Sequence, residues 1–135
     1  MDKIFVDTNI VIDLLAKREP FYRAAQELFT LSDKKEVQLQ ISSLTFANAY
    51  YSIVKHYKSV DAKKHLSKFK VLVEILPLED KAIELALASD FEDFEDGLQY
   101  FTAMDNESDI ILTRNKKDFK SSKLPVMTAE EYLKK

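Results

Sequence analysis

The chain has 135 residues, of which 46% are hydrophobic, 32% charged and 11% aromatic, the profile of one packed domain spanning residues 1–135 and not of a disordered or fibrous chain. A net charge of −3 and a pI near 5.4 exclude a protein that grips nucleic acid through a general basic surface, so any such ligand must be held locally. The lack of cysteine excludes disulfides and thiolate metal sites, and no run approaches the roughly 18 apolar residues needed to cross a bilayer.

The opening "MDKIFVDTN" has an acid at position 2 and only four residues before the next, which does not fit a secretory signal, and a cytoplasmic location is expected. Lys3 to Val6 is an apolar, β-rich run, and Ile10 to Leu15 continues as a helix. Pro20 is expected to open a second helix, with Phe21, Ala24, Ala25, Leu28, Phe29 and Leu31 at helical spacing. Val37 to Ser42 alternates as a second strand, and "SSLTFANAYYSIVKHY" then offers serine caps and an inward face of Leu44, Ala47, Tyr51 and Val54.

A lysine-rich helix is expected over Asp61 to Lys70, a third strand over Val71 to Leu78, and a helix over Lys81 to Ala88. Asp93 is placed to cap a helix in which Phe94, Leu98, Phe101 and Met104 recur at helical intervals. Asp109 to Thr113 reads as a fourth strand, "LPVM" as an edge strand, and "TAEEYL" as a last helix with capping-box spacing from Thr128 to Glu131. Alternating strands and helices imply crossover units: an α/β domain in three αβα layers around a mostly parallel sheet of four to five strands. No repeat, linker or low-complexity segment interrupts it.

In such sheets ligands sit beyond the carboxyl ends of the strands. Strand one delivers Asp7 with Thr8 and Asn9; strand two delivers Ser42 and Ser43, with Asn48 a turn into the following helix. Strand four delivers Thr113 and Asn115, with Asp118 close after, and Asp96 lies in the first turn of the preceding helix. Carboxylates drawn together repel, and a divalent cation resolves the repulsion. Mg2+ or Mn2+ suits a site made of oxygen ligands, whereas zinc is disfavoured where no histidine or cysteine lies in these segments. Such an ion suits phosphodiester hydrolysis, because it polarises the phosphoryl oxygen and lowers the pKa of a bound water.

Each position also has a plainer reading. Asp7 could be a helix cap, the acids of "DFEDFED" could simply complement a helix dipole, and Asp118 could be a surface acid beside an anchoring Phe119. The lysines between Lys55 and Lys70 read as a solvated helix face; Lys116, Lys117, Lys120 and Lys123 stand beside the acids. His56 and His65 read as surface residues, and Tyr50, Tyr51 and Tyr57 as packing. The joint placement of the acids, and no single residue, carries the metal-site reading.

"VDTNIVIDLL", "SSLTFANAYY", "DFEDGLQYFTA" and "ILTRNKKDF", in this order across nearly the whole chain, resemble the PIN domains, which include the ribonucleases of bacterial toxin–antitoxin pairs. The resemblance implies magnesium- or manganese-dependent RNA cleavage by a water nucleophile, a frequent homodimer and a protein antitoxin. It matches Asp7, Asp96 and Asp118 to acidic metal ligands and Asn9, Thr113 and Asn115 to supporting residues. The departure is Asn48, where cleaving members of the family usually carry glutamate; the change removes one negative charge, for which Asp93 and Glu95 stand near enough to compensate.

A different reading is a catalytically weak PIN-like module that binds RNA or a protein, motivated by Asn48 and the acidic pI. A third is a phosphoryl-accepting domain. Its phosphatase form lacks the second acid, since Asn9 stands there, and its receiver form needs an aspartate ending strand three, where "ILPLED" is found.

Overall fold

The computed structural model describes residues 1–135. Strands β1 (Lys3–Val6), β2 (Gln38–Ser42), β3 (Glu74–Leu76), β4 (Ile110–Leu112) and β5 (Val126–Met127) form one five-stranded sheet in the order β3-β2-β1-β4-β5. Every neighbouring pair is parallel. Between the strands run α1 (Thr8–Leu15), α2 (Tyr22–Asp33), α3 (Ser43–Ile53), α4 (Ser59–Lys70), α5 (Asp80–Ala88) and α6 (Phe94–Asp105), and α7 (Ala129–Leu133) closes the chain. A single 3-10 turn, Lys116–Phe119, follows β4.

β1 and β4 are the central strands, and their near-continuous apolar sequences follow from being covered on both faces. Side chains alternate across the sheet with period two. Ile4, Val6, Ile110 and Leu112 enter the larger core, with Leu28 of α2, Ile53 of α3 and Leu66 of α4. Phe5 and Ile111 point the other way, to Tyr100 and Ala103 of α6 and to Phe119. Helices therefore cover both faces, as the alternation of elements requires, and the three-layer αβα sandwich expected from sequence is the fold.

Several local expectations are corrected. The buried face of α3 is Thr45, Ala49 and Ile53; of the expected face only Val54 packs on the core, Leu44 is half-buried, and Ala47 and Tyr51 are exposed, Tyr51 by 67%. Following apolar residues alone misplaced this face because its first inward position is a threonine whose hydroxyl is satisfied internally. On α6 the buried run centres on Leu98, Gln99, Thr102 and Ala103, while Phe94 and Met104 are exposed, because here too polar residues occupy inward positions. β3 is an edge strand that pairs only over Glu74–Leu76, and Val71 caps α4 in solvent instead of extending the strand. α2 begins at Tyr22, leaving Pro20 in the turn before it.

With one glycine in the chain, three helices end on residues in the left-handed region: Lys17 after α1, Lys35 after α2 and Glu107 after α6. In each case the next amide reaches back to the last turn, as Glu36 N–H does to the Leu31 carbonyl at 2.9 Å. A side chain at such a position is strained where glycine is not. Lys35→Gly is expected to raise stability by about 0.5–1 kcal/mol, measured by urea denaturation.

Candidate metal centre

From β1 the chain steps outward to β2 and β3, then crosses the opposite face to reach β4 on the other side of β1. The topological switch point thus falls between β1 and β4, where doubly wound sheets open a crevice at the strands' carboxyl ends. Asp7 leaves β1 and Thr113 leaves β4 at that crevice.

Asp7 is only 7% exposed and caps α1. Its Oδ1 accepts the Thr8 N–H at 2.9 Å, its Oδ2 accepts the Thr113 hydroxyl at 2.8 Å, and its own N–H donates to the Leu112 carbonyl at 2.9 Å. Burial pushes its carboxyl above the usual range, and the charge of Asp118 adds to the rise; the Thr113 and Thr8 hydrogen bonds oppose it. Asn115 N–H donates in turn to Thr113 Oγ1 at 3.1 Å, so the loop after β4 is tied to the same carboxylate. The buried ring of Phe119 anchors that loop from beneath.

α6 aims its first turn at Asp7. Asp93 caps the helix by accepting the Asp96 N–H at 3.0 Å, and Gly97 lets it approach α5 so closely that a Cβ there would meet Ala86 Cβ at 3.2 Å. Burial, then Asp7, Asp93 and Asp118, push the Asp96 carboxyl up to about 7. Burial likewise raises Glu95, with Asp93 and Asp7 adding.

Asp7, Asn9, Asp93, Asp96, Asn115 and Asp118 line one open cavity of about 780 Å³ that has no hydrophobic lining residue. Asp90, Glu92 and Glu95 line it too, with Lys117 and Lys120 as its only cations. The carboxylates ring the space, and no three of them stand close enough to form a ready-made coordination sphere. The donor set is entirely oxygen, and it fits a hard divalent cation. Thr113 sits behind the wall, and Asn48 is not in the lining at all: its Nδ2 donates to Glu95 Oε1 at 2.9 Å.

Two supporting networks escaped sequence reasoning. Beneath the cavity, Gln99 Nε2 donates to Thr8 Oγ1 at 3.0 Å and Thr45 Oγ1 at 2.7 Å, locking α6 to α1 and α3. On the far side of α1, Asp13 is 1% exposed and lies against Arg18 Nε at 2.9 Å and Arg114 Nε at 3.0 Å. Arg18 also donates to the Asn9 carbonyl at 3.1 Å, and Arg114 stacks on Phe21 with its guanidinium carbon 3.9 Å from the ring centre. The one available signal was an aspartate among the apolar residues of "NIVIDLL".

Residues 3–117 match the PIN domain family. The chain belongs to that family. A curated relative, the protein named Ribonuclease VapC1 of Aquifex aeolicus, is 32% identical over 139 residues, covering 97% of this chain and 93% of its own. Among solved structures, a toxin–antitoxin complex from Klebsiella pneumoniae superposes with a TM-score of 0.69 at 25% identity, covering 93% of this PIN domain and 97% of that chain. VapBC2 from Rickettsia felis, bound to a promoter DNA fragment, has the same fold at a TM-score of 0.69 and 22% identity, covering 93% and 96% of the two chains.

Asp13→Ala would remove the carboxylate that both guanidinium groups share, and since those groups are partly solvated a loss of about 1–3 kcal/mol in urea denaturation is expected. Asp96 gives a stability that depends on pH. The folded protein holds its proton up to about 7, whereas an unfolded aspartate releases it near 3.9, so the folded state binds more protons between these values and stability falls as pH rises through them. In chelator-containing buffer, Asp96→Asn should therefore raise Tm most above pH 7 and leave it nearly unchanged below pH 4.

Proposed function

We propose that this PIN domain is a divalent-metal-dependent endoribonuclease, with Asp7, Asp96 and Asp118 as the acidic ligands of Mg2+ or Mn2+, and that it is the toxin of a toxin–antitoxin pair. The observation that carries the reading is the meeting of these three acids, from the end of β1, the start of α6 and the loop after β4, in one cavity at the switch point. The ribonuclease named for the Aquifex relative and the toxin–antitoxin assembly of the Klebsiella one support it. A protein antitoxin, a homodimer and a cytoplasmic location are part of the same proposal; no helix is long and apolar enough to cross a membrane.

A bound cation of this class polarises a phosphoryl oxygen and lowers the pKa of a coordinated water. The chain's own residues do the positioning. Thr113 and the Thr8 amide fix both oxygens of Asp7, so its orientation is set before any ligand arrives. Asp93 holds the first turn of α6, and with it Asp96, toward the cavity. The amides of Asn9 and Asn115 stand at the rim as neutral hydrogen-bonding groups for a ribose or phosphate. Lys117 and Lys120 supply local positive charge for the RNA backbone that the acidic protein lacks as a whole.

Asn48, in a position where the family resemblance places glutamate, favours a second reading, a PIN-like module that binds RNA or protein with little cleavage. Manganese separates the two. Purified protein is expected to bind Mn2+ in titration calorimetry and to cleave RNA in its presence, and Asp7→Asn should lower the cleavage rate by about a hundredfold or more. RNA binding with no Mn2+ uptake at millimolar concentration would establish the module instead, and equal cleavage by parent and variant would remove Asp7 from the site.

A further inference from the structure

The family resemblance places one acid on the helix after β2, and this chain has Asn48 there. In the structure Asn48 does not reach the cavity. Its Nδ2 donates across the gap between α3 and α6 to Glu95 Oε1 at 2.9 Å, and Glu95, half-buried in the first turn of α6, lines the cavity together with Asp7 and Asp96. We propose that Glu95 is a fourth acidic ligand of the metal centre and that Asn48 is its positioning residue. This rests on the metal-nuclease reading above.

Three physical arguments carry it. Residues adjacent on a helix normally point about 100° apart and cannot share a target. Glu95 and Asp96, both in the first turn of α6, nevertheless line the same cavity as Asp7. Second, the amide of Asn48 takes one carboxylate oxygen and leaves Oε2 with no hydrogen bond inside the protein, free for a cation. An amide can orient a carboxylate in this way, whereas a glutamate at position 48 would set two negative charges against each other. Third, the neutral amide at position 48 adds no charge of its own, so the carboxylates of the lining keep their demand for a doubly charged ion.

Mn2+ titration calorimetry on the full chain tests the assignment, with RNA cleavage as a second readout. Glu95→Gln should weaken Mn2+ binding about tenfold, and Asn48→Ala, which releases Glu95 from its hydrogen bond, should weaken it about threefold in the parent and not further in the Glu95→Gln background. Asp96→Asn serves as the control for the site itself. A Glu95→Gln variant that binds like the parent while Asp96→Asn does not, or an Asn48→Ala change that costs as much with Glu95→Gln as without it, overturns the assignment and leaves the metal-nuclease reading standing. A parent that takes up no Mn2+ removes both. Thermal melts of each variant confirm that it is folded.

Discussion

The burial of one carboxylate organises this molecule. Asp7 comes off the most enclosed strand of the sheet with almost no solvent contact, and a charge so placed is costly unless hydrogen bonds or an ion compensate it. The Thr8 amide and the Thr113 hydroxyl provide part of the compensation, and in doing so they join the ends of β1 and β4. Burial raises the Asp7 and Asp96 carboxyls alike; the charge of Asp118 adds to both, and that of Asp7 adds to Asp96. The two protein hydrogen bonds are directed inward, and what remains uncompensated faces the cavity. That polarity is what makes a cation the natural complement of the fold.

An arrangement that repels itself has to be held by the layers around it. The Gln99 amide bridging Thr8 and Thr45 ties the three helices nearest the cavity through polar contacts, in a region where a purely apolar core would leave hydroxyls unpaired. On the other flank Asp13 draws the Arg114 guanidinium away from the cavity, although Arg114 is the residue immediately after Thr113. A guanidinium turned toward Asp7 would neutralise the acids and displace any metal. Seated between Asp13 and the face of Phe21, it anchors the loop instead.

How much of this was legible depended on the kind of residue. The strand–helix alternation and the three acids could be read because hydrophobic periodicity and strand-end position are one-dimensional properties, and so the parallel sandwich and the lining positions of Asp7, Asp96 and Asp118 follow from sequence. The inward faces of α3 and α6 could not, because Thr45, Gln99 and Thr102 are polar residues that are buried, and Thr45 and Gln99 find their partners far away in the chain. Asp13 was passed over for the same reason: its justification lies in Arg18 and Arg114, and the second is 101 positions away (114 − 13). The role of Asn48 was equally hidden, since only the structure turns its amide toward Glu95.

The charge distribution also bears on what such a cavity can hold. Its rim combines many carboxylates with the ammonium groups of Lys117 and Lys120, so an anionic polymer meets net repulsion there until a cation enters. The lysines of α4, which could have drawn in a phosphate backbone, are exposed on a different surface and none lines the cavity. Recognition through two lysines and a metal involves few phosphates, and the salt dependence of binding scales with the number neutralised. A polyanion bound here would therefore be held at one or two linkages, with the cation as the main source of attraction. That differs in kind from a basic groove that coats a strand.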